Sequence, residues 1–394
     1  MPSLTACRVC QGTTLESIVD FGEFAQGGRF PLIGEAAPRL PLHLMGCARC
    51  GLVQLGDVFP PGLLYGDHYG YRTGLNLSMV EHVADLVRQD VPRWVGELQP
   101  GDAVLDIGSN DGTLLAYYPS WVRRVGIDPS LAHLQAFYQP GIEAHAGFFG
   151  DVPLDGPFRA ITSIAMFYDL EDPVTLARQV KALLAADGVW ILEQGYWPGL
   201  AKQGVYDVVC HEHLEYYRLA DMERIMGEAG LVIKDVTFNT VNGGSFRVVV
   251  GHEGPAFDGR AILEAERAVD LEVFAKRVAA HGPALHGILE GYRTAGRTVY
   301  GYGASTKGNT VLQHAKIGPE VVSCMVEVSE AKRGCWTPGT HIPIVLHVEQ
   351  SPDVYLVMPW HFRPSILRRE KAYLQAGGTF LFPLPEIEGV GWSS

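Results

Sequence analysis

Three clusters in this 394-residue chain have residue types and spacings that could do chemistry. The run Cys210-His211-Glu212-His213 offers a general base, because histidine takes a proton near neutrality and a neighbouring carboxylate raises its basicity. In an extended segment His211 and His213 would point one way and Glu212 the other. A metal site is the lesser reading, since two histidines lack a third ligand nearby, and a solvated surface pair is the bland one. The second cluster is Cys7-Arg8-Val9-Cys10 with Cys47-Ala48-Arg49-Cys50, two knuckles that supply the four thiolates of a closed tetrahedral zinc site. Four cysteines leave no open position, so Cys7, Cys10, Cys47 and Cys50 point to structural zinc and not to a catalytic metal or a redox pair.

The third cluster is Val104-Leu105-Asp106-Ile107-Gly108-Ser109-Asn110-Asp111-Gly112. Apolar residues lead into Asp106 as a buried strand, and Gly108 and Gly112 turn the chain into an expected helix over 113–118. A second strand, Arg124–Asp128, ends in an acid placed to accept the hydroxyls of an adenosine ribose. A dinucleotide turn would read G-x-G-x-x-G and seat a pyrophosphate. Here the pattern is D-x-G-x-x-x-G, and acids at 106 and 111 suit a cationic, phosphate-free nucleoside, S-adenosylmethionine. The alternating runs 231–241 and 245–251 around Asn242-Gly243-Gly244 form a hairpin signal. A terminal hairpin fits a class I methyltransferase sheet and is not needed by a dinucleotide oxidoreductase.

Composition sets the frame for these clusters. Hydrophobic residues make up 47% and charged residues 19%, with a formal charge of −13 and no basic run. A nucleic-acid or anionic-membrane partner is therefore not expected. With no signal-like or membrane-spanning apolar run, the expected compartment is the cytoplasm. Cysteines outside the two pairs are isolated at 210, 324 and 335, which argues against a disulfide framework.

The elements that must position the clusters fall into four units: 1–58 as a zinc-binding module, 59–98 as a helical bridge or lid, 99–252 as the S-adenosylmethionine-binding domain, and 253–394 as a C-terminal α/β domain. In the first unit zinc staples a loop over 24–41. In the bridge a glycine-broken aromatic stretch carries Tyr69 and Tyr71 ahead of a helix over 75–88. In the third unit come strands at 104, 124, 160–166 and 189–193, helices over 171–186 and 219–229, and the hairpin. Ligands in such sheets bind at the carboxyl ends of the strands. Met166 follows the fourth strand there, and the long connection 195–218, which holds the histidines, follows the fifth. The last unit opens with a helix over 260–294 broken at Gly282-Pro283. A second parallel sheet follows, with strands at 299, 321–326, 342–346, 354–358 and 379–382 and a helix over 364–376. Its glycine turn and Lys307 could hold phosphate. Loop residues Arg333, Trp360 and His361 point to an anionic, partly aromatic ligand.

Taken in order, the paired C-x-x-C knuckles, D-I-G-S-N-D-G, H-E-H, N-G-G-S, G-Y-G-A-x-x-K-G-N-T and T-P-G-T-H-I-P resemble the three-domain sugar C-methyltransferases of deoxysugar pathways, over nearly the whole chain. The resemblance implies an α/β class I methyltransferase Rossmann-like sheet, flanked by a small zinc module and a second Rossmann-like domain. It implies methyl addition to C-3 of a nucleotide-linked 4-keto-6-deoxyhexose, TDP- or GDP-linked, through a base-generated enolate, in an enzyme that is a monomer or weak homo-oligomer. By the same resemblance His213 is the base, with Glu212 and His211 its neighbours, and the C-terminal domain holds the nucleotide. The expected cofactor-binding set is Asp106, Gly108, Asn110, Asp111, Gly112, Asp128, Met166 and Tyr71, and the substrate-binding set is Tyr69, Asn242, Lys307, Arg333, Trp360 and His361. One position departs: similar enzymes carry tyrosine before H-E-H, here Cys210, so His211, Tyr216 or Tyr217 would have to supply the missing phenol's hydrogen bond. Alternatives are a nucleotide-sugar O- or N-methyltransferase, a non-catalytic ligand-binding regulator and an oxidoreductase. On this reading Cys10→Ser would mainly lower solubility.

Overall fold

Alternation of leucines along Arg39–Cys47 buries Leu40, Leu42 and Leu44 on one face, the pattern of a half-buried strand. In the computed structural model, which describes residues 2–65 and 70–392, this strand (β2) lies antiparallel between β1, Leu15–Ala25, and β3, Val53–Leu55. The spacer between the cysteine pairs is thus a β1–β2 hairpin, and the loop expected over 24–41 is its connection, 26–38. The bridge helix runs Leu77–Asp85, passes through a π turn at Leu86–Asp90 and ends as Val91–Val95 before Gly96. Met79, Val83, Leu86, Val87, Val91 and Val95 pack its inner side against one face of the next sheet.

That sheet contains β4, Ala103–Ile107; β5, Arg123–Asp128; β6, Ile142–Ala146; β7, Phe158–Ile164; and β8, Leu184–Gly195. Every residue of β4 is buried, as a central parallel strand with both faces covered requires. The chain then leaves β8, forms the helix Trp197–Gln203, and places a two-residue strand, β9 at Glu215–Tyr216, against β3. The connection bearing the histidines is therefore an edge strand of the zinc module's sheet. After it come the helix Leu219–Ala229 and the hairpin β10, Val232–Asn239, with β11, Ser245–Gly251. The order β10-β11-β8-β7-β4-β5-β6, with β11 antiparallel to both neighbours, is the expected class I arrangement.

Several local expectations are corrected. The helix over 113–118 is one 3-10 turn, Leu115–Tyr117. Asp111 captures both the backbone N–H and the hydroxyl of Thr113, and Pro119 holds Tyr118 extended. Strand β6 escaped notice because its sequence is mixed and half-exposed. The helix over 171–186 is Pro173–Leu183, capped by Asp172. Gly282-Pro283 does not break its helix: the break falls at 267–270, where Asp270 caps Leu271–Thr294, and Pro283 stays inside.

The third sheet is built from β12, Val299–Tyr302; β13, Met325–Val326; β14, Ile344–Val345; β15, Val354–Val357; β16, Thr379–Phe382; and β17, Glu388–Val390. All pair in parallel except the last. β13 and β14 are shorter than expected, and the helix over 364–376 is two pieces, Arg363–Arg369 and Lys371–Gln375. One apolar core runs from β1–β3 through Trp197–Tyr216 into this third sheet. A second packs Cys7, Cys10 and Cys47 against the methyltransferase sheet. Among the described residues no helix is long and apolar enough to cross a membrane.

Candidate active site

The four cysteines converge. Sγ of Cys7 lies 3.6 Å from that of Cys50, Sγ of Cys10 lies 3.5 Å from that of Cys47, and all four fall within 4.8 Å. Four thiolates on a tetrahedral zinc at about 2.3 Å stand about 3.8 Å apart, so the donor set fits the ion. The Cys50 thiol beside it pulls Cys7 down to about 4, which favours one thiolate already. The knuckles are tied to the rest: Arg218 Nη2 donates to the Cys50 carbonyl at 2.6 Å, and the Arg8 guanidinium pairs with Glu171 at 2.9 Å.

At the carboxyl end of β4, Gly108 has φ +75° and a Cβ there would stand 2.9 Å from Met166 Cγ. Met166 thus lies over the turn. Gly112, at φ +74°, is covered by the Tyr138 ring, whose hydroxyl bonds Ser109 Oγ at 2.7 Å. Asp128 accepts the Asn110 and Ser130 backbone N–H groups at 2.9 and 2.7 Å, which locks the turn to the end of β5. Burial pushes Asp106 up to about 7, while the Thr162 hydroxyl donates to it at 2.6 Å. Asp111 has a different place from the one expected. It accepts from Arg72 Nε and the Gly74 N–H at 3.1 and 2.9 Å, and Asn110 accepts from Thr73 N and donates to the Tyr71 carbonyl. Asn110 and Asp111 therefore dock the bridge onto the turn, with the Tyr71 ring exposed alongside. Tyr69 lies outside the described residues.

The histidine run is a turn, not an extended segment, because the His213 N–H donates to the Cys210 carbonyl at 3.1 Å. Consequently His211 and His213 do not share a side. His211 turns toward the zinc module, bonding the Leu40 carbonyl at 3.2 Å beside the Phe59 ring. Glu212 accepts from the Gly28 N–H at 3.1 Å and does not raise the basicity of His213. His213 Nδ1 donates to the Val208 carbonyl at 2.8 Å, so Nε2 is the lone-pair nitrogen. Burial, then the nearby Lys307 ammonium, pull its pKa down to about 3. Its ring packs on Tyr168 at 4.2 Å between centroids. His213, Tyr168, Glu215, Tyr216, Asn242 and Lys307 line one cavity of about 20 Å³, room for about one water. Lys307 of the C-terminal unit thus meets residues of the 99–252 unit at the cavity that His213 lines.

Comparisons with known proteins match three stretches of the chain. Residues 7–65 match a zinc binding domain, 79–236 a methyltransferase domain, and 240–385 a C-methyltransferase C-terminal domain. The chain is 31% identical over 405 residues to the C-methyltransferase NovU of Streptomyces niveus, covering 96% of this chain and 95% of that one. It belongs to the three-domain S-adenosylmethionine-dependent C-methyltransferases. Two solved structures align over less than half of it. A geranyl diphosphate C-methyltransferase from Streptomyces coelicolor A3(2) is 14% identical, covers 45% of this chain and 82% of that one, and has TM-score 0.38. A methyltransferase from Clostridium acetobutylicum is also 14% identical, covers 45% and 99%, and has TM-score 0.34. Likenesses this partial add nothing to the assignment.

The remaining residues of this C-methyltransferase divide. Trp360 donates from Nε1 to Asp207 at 2.7 Å and packs on the Gly243 backbone, which brings it beside Asn242. Burial pulls the neighbouring His361 down to about 3, with Lys307 adding to it. Arg333 sits on the surface, paired with Glu330 at 2.8 Å, and does not line the cavity. The inward cation is Lys332, whose ammonium donates to the Ala304 carbonyl at 2.6 Å. Glu327, at the end of β13, accepts the Ala304 N–H at 3.0 Å, and Ser305 caps Gly308. These partners take the Ala304 and Gly308 N–H groups of the glycine turn. Glu327 was legible by the strand-end rule that found Asp128 but was passed over. Of the three stand-ins for the phenol missing at position 210, Tyr216 lines the cavity, whereas the Tyr217 hydroxyl donates to Glu215 at 3.1 Å.

Gly108→Ala gives a direct test of the cofactor turn. A left-handed non-glycine residue costs about 1–2 kcal/mol, and the new methyl displaces Met166. The expected outcome is at least a tenfold loss of S-adenosylmethionine affinity by titration calorimetry; unchanged affinity would remove this turn from the binding site.

Proposed function

We propose that the enzyme methylates C-3 of a nucleotide-linked 4-keto-6-deoxyhexose, with His213 removing the C-3 proton. A sugar carbon gives up a proton readily only beside a carbonyl, so a C-methyltransferase acting on a sugar needs a ketone and a base. The observation that carries the reading is the segment after β7. Met166 covers the Gly108 turn and the Tyr168 ring packs against that of His213 at 4.2 Å, tilted by 53°. Two residues span no more than about 7 Å, so the base stands near the cofactor turn. Residues in the turn and at Asp106 and Asp128 fit S-adenosylmethionine, which supplies an electrophilic methyl when bound. Val208 fixes the imidazole so that Nε2 takes the proton, and Tyr168 orients the ring. Trp360, His361 and the acid Glu327 support the C-terminal domain as the nucleoside's holder.

Incubation with S-adenosylmethionine and a panel of TDP- and GDP-linked 4-ketosugars, read by mass spectrometry, tests the reading. The expected result is a gain of one CH₂ with the label on carbon; a methyl found on oxygen or nitrogen would overturn it. The pH dependence has a defined sign. A base is competent when neutral, and His213 titrates at about 3, not near its ordinary 6.5. The acid limb of kcat/KM should therefore lie below pH 5, and a limb centred near 6.5 would contradict the buried, neutral imidazole.

A further inference from the structure

We infer that Lys307, from the C-terminal domain, is a catalytic residue: its ammonium faces His213 across the cavity and holds the oxyanion formed when the substrate carbon loses its proton. The inference rests on the ketone-substrate reading above and adds a role for the third domain that is separate from holding a nucleotide.

The placement follows from local structure. Ser305 caps the helix Thr306–His314 by accepting the Gly308 N–H at 3.0 Å. Gly308 is pressed onto Met358, just past β15: a Cβ at 308 would stand 2.8 Å from the Met358 Cβ. This close approach fixes the first helical turn and directs Lys307 away from its own glycine turn. Lys307 Nζ reaches the Asn242 carbonyl at 3.4 Å and shares the cavity lining with His213. That bond is long, so the ammonium keeps donor capacity toward the cavity. Asp207, buried and with Oδ1 lacking a hydrogen-bond partner, supplies the counter-charge; its Oδ2 accepts from Trp360. The groups around the pair are Tyr168, Glu215 and Tyr216 on the His213 side, and Asp207, Cys210 and His361 on the Lys307 side.

The chemistry needs such a group. A buried imidazole is a weak base, so most of the driving force has to come from stabilising the anion, commonly the largest catalytic contribution. The C–H bond breaks with its proton going to Nε2 of His213 and its electron pair to the carbonyl oxygen, opposite the Lys307 ammonium. That pair returns to carbon as the bond to the methyl carbon forms, and the sulfur keeps the pair of the broken S–CH₃ bond. His213 then releases its proton to solvent. A cation facing His213 lowers its basicity, and the same charge acidifies the substrate, so the two effects are coupled through one residue.

Lys307→Met and Lys307→Arg in the full-length, zinc-loaded enzyme test the inference, with Tyr216→Phe as the competing donor. Lys307→Met should lower kcat about 10²–10³-fold with little change in S-adenosylmethionine affinity, and Lys307→Arg should restore part of the loss. Independently of any substrate, the NMR titration of His213 should move to higher pH in Lys307→Met, because a repelling charge is gone. A Lys307→Met enzyme with unchanged kcat and an unmoved His213 titration would overturn the inference. So would a loss of that size confined to Tyr216→Phe. Failure of the ketosugar reading is a distinct result: wild type would then turn over none of the ketosugars, while the His213 titration would still report whether Lys307 faces it.

Discussion

His213→Asn should lower methyl transfer by about 10²–10⁴-fold, the usual contribution of a positioned base, while leaving S-adenosylmethionine affinity within about twofold. Asparagine keeps the polarity and most of the volume against Tyr168 and Val208, so packing losses are small. What disappears is the lone pair at Nε2. Steady-state kinetics with calorimetric affinity separates these effects. Wild-type turnover in the variant would show that His213 only lines the cavity.

Loss of zinc is expected to be at least as damaging, and this revises the expectation that Cys10→Ser mainly lowers solubility. β9 immediately follows His213 and Leu214, and it pairs with β3 of the cysteine-anchored sheet through Val53–Tyr216 and Gln54–Glu215. The Leu55 N–H also donates to the Leu214 carbonyl at 2.8 Å. The turn that carries His213 is thus held in register by the zinc module. Structural zinc contributes about 10–16 kcal/mol in small domains, comparable with the whole stability of a domain, about 5–15 kcal/mol. Removing it by chelation, or by Cys10→Ser, should abolish activity and loosen both the β1–β3 sheet and residues 210–216. Hydrogen exchange by mass spectrometry reads this out. Full activity in metal-free protein, shown by elemental analysis, would mean that the sheet holds the turn without the ion.

The sequence made some of this legible because the controlling physics is local. Two C-x-x-C pairs state their donor set, and D-I-G-S-N-D-G states a turn whose glycines need positive φ, as Gly108 and Gly112 have. The terminal hairpin was readable from alternation around Asn242-Gly243-Gly244. Other features depend on contacts that spacing does not encode. The two histidines were read as sharing a side because period-2 geometry assumes an extended chain, and a Cys210–His213 turn replaces it. Asp111 looked like a ligand for a positive charge, yet it is taken by Arg72, Gly74 and Thr113. Arg333 looked like an anion site because a cation in a loop carries no sign of its partner, Glu330. Lys307 was assigned to its own glycine turn, and only the packing of the C-terminal unit on the 99–252 unit shows it lining one cavity with His213.

The most direct test of the base assignment is solvent exchange. In deuterium oxide, with the ketosugar and demethylated cofactor so that methylation cannot proceed, the wild-type enzyme should wash deuterium into the carbon beside the ketone, and His213→Asn should not. Equal exchange in the two proteins would contradict the account, because the proton would then be leaving by another route.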